Sequence, residues 1–417
     1  MQKCDVVIVG SGMAGLTAAS VLQRNNLSYC IVESSDRAGG RIKTDNLDGF
    51  LLDRGFQVLL TAYPETRELL DYAKLNLKSF LPGAQVYRKG KTFRVADPTR
   101  QPSELFSSLF SPLGSFTDKF RVLRLRAQLS SKSLLEIFQE EEKPSLIALK
   151  EEYGFSDKMI DSFFKPFFSG IFLEGELETS RRALDFVFKM FSEGHAAVPE
   201  KGMEQIPKQL AGQLPSHMFH FNTPATSITD GKVVTESGKE FEGKYVLIAT
   251  QAPALQKLSG FSCKVTYQST STFYFVADKP PYIEPILTLN GTGSGLINNV
   301  AVMSNIASSY APEGKHLISA SVIGDQAFDE YSILKTIKKE LEQMFGKEVT
   351  EWEHLHTYHI PYALPAQNHV QHEIAPAMMQ ISERNYICGD HLLNGSINAA
   401  MRSGRLAAEL VADRLRA

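Results

Sequence analysis

The sequence predicts an α/β protein whose core is a Rossmann-type dinucleotide-binding domain, interrupted by an inserted mixed α+β domain. Two observations near the N-terminus carry the prediction: a continuous β-branched strand runs into Gly-x-Gly-x-x-Gly, and the next strand closes on an acidic residue. A third comes from the far end, where a short strand ending in Gly-Asp precedes a helix rich in small residues. A length of 417 residues suits two joined domains better than one small core.

Asp5-Val6-Val7-Ile8-Val9 has the uninterrupted apolar pattern of a strand buried on both faces. Gly10 permits the tight turn that follows, Gly12 lets backbone approach a pyrophosphate, and Gly15 allows close packing of helix against strand. Met13 and Ala14 fall in the same turn. The helix expected through Asn25 directs unpaired N–H groups and its positive dipole end at the phosphates. The second strand, Ser28 to Val32, ends at Glu33, whose carboxylate can accept both ribose hydroxyl hydrogens. To this point NAD and FAD are served equally.

Three further blocks break the tie. Glu33-Ser34-Ser35-Asp36-Arg37-Ala38-Gly39-Gly40-Arg41 continues to Thr44 and then to Phe50-Leu51-Leu52-Asp53-Arg54-Gly55-Phe56-Gln57. A middle block runs from Phe221 through Ala225 to Ile228, turns at Asp230-Gly231 and returns through Tyr245 to Thr250. The last holds Gly389-Asp390 and Gly395-Ser396-Ile397, with Ser403, Gly404 and Ala407 on the helix that follows. Together these blocks resemble the flavin amine oxidase superfamily, which includes protoporphyrinogen oxidases and phytoene desaturase-type enzymes. The resemblance implies FAD as cofactor, with Gly40, Arg41 and Arg37 at its phosphates or flavin edge. It further implies contacts from Gly55, Phe56 and Gln57, a backbone contact to adenine at Ala225, and closure of the Ala249-Thr250 region over the dinucleotide. Gly389 and Asp390 would hold the ribityl chain, and the helix N-terminus at Ser396 and Ile397 would face the pyrimidine edge. The loop from His391 to Asn394 contains no Cys, so noncovalent binding is expected. Ser403, Gly404 and Ala407 would let their helix pack closely on the sheet.

The FAD-binding domain is then expected from residues 1–75, 200–260 and 380–417. The substrate domain would comprise 76–199, mainly helical, and 261–379, a sheet plus one helix. Amphipathic patterns predict helices at Phe116–Leu125, Ser133–Gln139 and Ser332–Phe345, and alternation predicts strands at Thr272–Val276 and Leu317–Val322. Lys119 to Arg126 reads as a packed helix with a solvated basic face, peripheral membrane contact staying open. Gly291 to Gly295 follows no long buried strand and reads as a turn. The apolar run Phe163 to Leu173 contains Pro166 and Gly170, which predict a bend instead of one continuous helix. Its aromatic side chains suit either core or the wall of an apolar substrate cavity. Placement just before the last cofactor block makes Tyr358, His359 and Tyr362 the candidates for lining the active site.

A formal net charge of −3 creates no field that would gather nucleic acid. The four cysteines form no Cys-x-x-Cys pair, and His354 with His356 lacks further ligands at usual spacing, so no metal is expected. The chain enters a strand at once, which predicts a cytoplasmic protein without a leader. The expected function is FAD-dependent oxidation of a large apolar small molecule by hydride transfer, as oxidase, dehydrogenase or desaturase. A non-redox flavoprotein isomerase on the same fold, or an amine oxidase, are the alternatives.

Overall fold

A computed structural model describes residues 2–96, 113–324 and 330–417; the part of the expected helical insertion at 97–112 lies outside them. From the N-terminus, β1 (Gln2–Val9) leads through Gly10 into α1 (Met13–Arg24), then β2 (Tyr29–Val32) and the hairpin β3 (Thr44–Leu47) and β4 (Phe50–Asp53). A second hairpin, β5 (Gly83–Arg88) and β6 (Lys91–Ala96), precedes the helices α2 (Phe116–Ser131), α3 (Lys165–Phe172) and α4 (Arg181–Glu193). The middle segment adds β7 (Phe219–His220), β8 (Ala225–Thr229), β9 (Lys232–Thr235) and β10 (Glu240–Ile248). Next come β11 (Tyr267–Ala277), β12 (Leu287–Asn290), β13 (Ile297–Val302), β14 (His316–Ile323), α5 (Glu330–Phe345) and β15 (Glu353–Pro365). The chain closes with β16 (Asn385–Ile387) and α6 (Ile397–Arg416).

The first sheet has the order β7-β2-β1-β10-β9-β8, with β16 beside the C-terminal half of β10. β7, β2, β1, β10 and β16 run parallel, and the β8–β9 hairpin turns at Asp230-Gly231 onto the N-terminal half of β10. Val6 to Val9 are buried because the central strand has sheet neighbours on both edges and helices over it. α1 and α6 cross at their small residues: a Cβ on Gly404 would lie 2.1 Å from the Ala14 carbonyl oxygen. At Gly404 the narrow face of α6 therefore meets α1, while Ser403 Oγ on the same face accepts from Gly389 N just beyond β16 at 2.9 Å.

The second sheet runs β15-β11-β14-β13-β12-β5-β6, antiparallel except where β12 pairs with β5. The insertion before α2 thus contributes two strands as well as helices; Ala84 and Val86 alternate inward with half-buried Gln85 and Tyr87. α5 covers one face through Ile333, Ile337 and Leu341 packed on Phe273, Phe275, Val300 and Ile318. The opposite face looks toward α3 and the first sheet.

Pro166 and Gly170 do not break their helix. A wide π-type turn over Ile160–Phe164 leads directly into α3, with the Lys165 N–H bonded to the Ile160 carbonyl. A proline near the start of a helical segment, just after such a turn, costs little, since its missing N–H and its ring fall where the ladder is already widened. Gly170 serves close approach instead: a Cβ there would lie 2.4 Å from Asn298 Oδ1.

Buried Asp53 ties the β3–β4 hairpin to the second sheet. Its Oδ1 accepts from Thr44 Oγ1 at 2.5 Å and Met203 N at 2.9 Å, its Oδ2 from Tyr310 at 2.8 Å, and its carbonyl from Tyr274 at 2.8 Å. Complete burial pushes its carboxyl up to about 6, although the donated hydrogen bonds favour the charged form.

Candidate active site

At the C-terminal ends of β1, β2, β10 and β16 lies a cleft of about 590 Å3, the position where parallel α/β sheets bind ligands. α1 begins on Gly12 with no capping side chain, so its first-turn N–H groups face this cleft, with Gly10, Gly12, Met13 and Ala14 in its wall. Gly40, at φ +60°, stands opposite: a Cβ on it would sit 3.1 Å from the Gly12 Cα. The two bare backbones form a cradle that side chains would fill.

Glu33 lines the cleft beyond β2. Its Oε2 accepts from Ser11 N at 2.7 Å and Ser11 Oγ at 2.8 Å, and its Oε1 from Ser35 N and Oγ at 2.8 Å each. Burial by itself would raise its pKa, but these donors prevail and hold the carboxyl below its usual range. Arg41 Nη2 pairs with Asp390 Oδ2 at 2.6 Å while Nη1 donates to the Ala363 carbonyl at 2.9 Å, joining the first block to the last. Gln57 Nε2 braces the loop by donating to the Arg41 and Arg54 carbonyls, both at 3.2 Å. Gly55, Phe56 and Gln57 line the cleft with Gly389, Asp390, Ser396 and Ile397, and Ser396 Oγ caps α6 by accepting from Ala399 N at 3.0 Å.

Six expected residues fall outside the lining. Gly15 acts in packing: a Cβ there would lie 2.0 Å from the Gly10 carbonyl oxygen. Arg37 does not reach the cleft, because its guanidinium is taken by Glu204, by Asp45 at 2.8 Å and by Asp36 at 3.1 Å. Ala225 sits in the β8–β9 ladder opposite Thr235. On β15 the wall is built by Ile360, Ala363 and Leu364, not by Tyr358, His359 and Tyr362. Gln268 of β11 faces Leu364 while Thr270 faces Ile360, so extra residues on β15 break the simple alternation. Tyr358 donates to Asp45 Oδ2 at 2.7 Å, His359 Nδ1 lies 3.0 Å from Ser271 Oγ, and the Tyr362 carbonyl accepts from Gln251 at 3.0 Å.

Thr250, expected over the dinucleotide, lines the cleft, and so do Asn299 and Ser321, which were not expected there. Their Thr250 Oγ1, Asn299 Oδ1 and Ser321 Oγ atoms are buried with no partner among the described residues. One signal could have found Asn299: an Asn-Asn pair inside the otherwise apolar β13.

A second cavity of about 240 Å3 adjoins the cleft. Phe56, Val58, Gly170, Ile171, Phe191 and Asn299 line both. Phe163, Phe167 and Ile171 line it from the helical turn and α3, Phe164 and Phe168 reach it from within the core, and Phe172 is core alone. The aromatic run is therefore both core and cavity wall. Among the described residues lining this cavity there is no carboxylate; its charged or titratable groups are Arg126 and His195.

The donor set fits a flavin dinucleotide. A glycine cradle and an uncapped helix start suit the pyrophosphate, the charged Glu33 suits a ribose, and Arg41, Asp390 and the start of α6 offer polar groups in the same cleft that a ribityl chain and flavin would take. The sequence profile of the flavin containing amine oxidoreductases matches residues 13–412. The chain belongs to that family. By family it is an FAD-dependent oxidoreductase. It is 27% identical to protoporphyrinogen oxidase 2 of Arabidopsis thaliana over 165 residues, 40% of this chain and 32% of that protein. The matched stretch thus spans about a third of that relative's length. It is 24% identical to an L-amino acid dehydrogenase of Synechocystis over 396 residues, 83% of this chain and 79% of that one. In fold it is similar to an oxidoreductase from Methanosarcina mazei, with TM-score 0.77, 16% identity, and 98% and 100% of the two chains covered. It is similar as well to putrescine oxidase, with TM-score 0.73, 16% identity, and 99% and 100% covered.

Proposed function

We propose that this oxidoreductase acts on an uncharged, mainly apolar organic molecule seated in the 240 Å3 cavity, using noncovalently held FAD. The observation that carries the reading is the wall shared between that cavity and the cofactor cleft, with no carboxylate to meet an alkylammonium group. Bound FAD supplies a two-electron acceptor for hydride. The chain's own part is to orient and to exclude water: Phe163, Phe167 and Phe191 hold flat apolar surface, and Phe56 and Ile171 close the junction. No carboxylate acid or base stands in the apolar cavity, so substrate placement carries the rate. Titration of the flavin-loaded protein with a retinoid, a polyene and a porphyrinogen, beside putrescine and L-amino acids, tests this. Perturbation of the flavin spectrum by the apolar set supports the reading; response to the amines alone overturns it. No cysteine or histidine lines the cleft among the described residues, and acid precipitation should leave the yellow colour in the supernatant.

A second observation favours work at an anionic membrane surface. No helix among the described residues is long and apolar enough to cross a membrane. α2 packs inward through Leu125 and Leu129, yet Phe116, Phe120 and Leu123 stand exposed on the outward side at 63%, 71% and 41%. Lys119 and Arg126 flank that stripe on one side and Arg121 and Arg124 on the other, a charge pattern complementary to anionic headgroups. Val122, Leu123 and Arg126 of the same helix line the apolar cavity, which gives a lipid-soluble substrate an entrance there. The chain should float with phosphatidylglycerol vesicles, and Phe120→Ser with Leu123→Ser should reduce flotation at least tenfold. Equal flotation of the double variant would refute membrane docking through α2.

A further inference from the structure

We infer that Asn299 selects substrates that present a hydrogen-bond donor at the junction of the two cavities. The inference rests on the apolar-substrate reading and specifies it. β13 carries one extra residue at Asn298: Ile297 pairs with Val322 of β14 and Asn299 with the next residue back, Ser321. Such a bulge re-aims side chains, and here it turns two consecutive amides toward α3.

The amides form a relay with one direction. Asn298 Nδ2 donates to the Pro166 carbonyl at 3.1 Å, and Asn298 Oδ1 accepts from Asn299 Nδ2 at 2.8 Å. The anchoring carbonyl decides which end of each amide is nitrogen, and Asn299 is left with its Oδ1 uncommitted. Asn299 is only 4% exposed, and that oxygen has no donor among the described residues. Gly170 makes the arrangement fit, since a Cβ there would lie 2.4 Å from Asn298 Oδ1 and 3.1 Å from Asn299 Nδ2.

Position gives the oxygen its consequence. Asn299 lines the cleft and the apolar cavity, and the residues that share this place, Phe56, Val58, Gly170, Ile171 and Phe191, carry no polar side-chain atom. An amide oxygen buried without a donor is unfavourable, and a substrate N–H or O–H placed beside it removes that cost. An analogue of the same shape without a donor leaves the oxygen unpaired. Sites built this way reject the analogue far more strongly than an apolar pocket rejects a missing methylene. The substrate class is accordingly an apolar ring or chain bearing one N–H or O–H near the carbon that faces the flavin.

Carbazole and dibenzofuran test the idea, because they share a shape and differ in one N–H against one ring oxygen. Each is titrated into the flavin-loaded protein and followed through the visible flavin band. Carbazole should bind at least tenfold more tightly than dibenzofuran to the native chain, and the ratio should fall to near one in Asn299→Leu. Gly170→Ala, which keeps Asn299 and displaces the relay, should lower the ratio as well and serves if the leucine variant does not fold. Equal binding of the two probes by the native chain overturns the inference and leaves the apolar-substrate reading standing. A ratio that survives in Asn299→Leu overturns it too. If neither probe perturbs the flavin while a retinoid or a porphyrinogen does, the inference falls and the apolar-substrate reading stands; if none of them does, both fall.

Discussion

Asp53 shows what burial does to a single carboxyl. With its folded pKa raised to about 6 from an ordinary 3.8, the group favours the folded state most when protonated. That contribution is complete below the unfolded value and is lost as pH rises through about 6. The difference corresponds to about 3 kcal/mol. Urea unfolding of the native chain and Asp53→Asn between pH 3 and 7 should show the native chain losing about that much relative to the variant. An unchanged difference across the range would contradict the raised pKa. Gly40 makes a different residue-scale claim. Its φ of +60° and the 3.1 Å approach of a Cβ to the Gly12 Cα make Gly40→Ala both strained and obstructive. The variant should purify with most of its flavin missing, read from the ratio of visible to ultraviolet absorbance. Arg37 carries the opposite lesson: its place in the motif suggested the cofactor, but Glu204 and Asp45, distant in sequence or on another strand, claim its guanidinium.

Among elements, the crossing of α1 and α6 holds the two ends of the chain together. A side chain at Gly404 has nowhere to go with the Ala14 carbonyl oxygen 2.1 Å from its Cβ. Gly404→Leu should therefore cost about 3 kcal/mol or more, at the upper end of overpacking penalties. Thermal unfolding would register it, and retention of the native midpoint would show that the helices can slide apart. The small residues of α6 were readable in the sequence, as was their purpose of close approach; the partner was not, since nothing local distinguishes a helix from a sheet as the opposing surface. β15 was harder still. Its position beside the cofactor cleft could be placed in sequence, but the irregular pairing with β11 decides which side chains form the wall. A shift of one residue exchanges the faces of a strand, so Ile360 and Leu364 replaced the aromatic candidates.

For the whole molecule, two sheets meet at a cleft, and the cleft and the apolar cavity share one wall. Segments from both ends and the middle of the chain build the cleft, so flavin binding stabilises their common assembly. Free FAD at 100 times its dissociation constant should raise the unfolding free energy by about 2.7 kcal/mol. A flavin-stripped preparation melting at the same temperature with and without added FAD would deny that linkage.

By itself the sequence determined the dinucleotide fold, its glycine cradle, and the segments that bring Glu33, Arg41 and Asp390 to one cleft. These depend on backbone conformations and residue types that recur at short spacing, and short spacing is visible in a single chain. Only the tertiary structure decided that Pro166 and Gly170 sit in an unbroken helix, that the phenylalanine run both fills a core and lines a cavity, and that Asn299 faces the junction. Each depends on a bulge, a register or a long-range partner, and such contacts between distant segments exist only once the chain has folded.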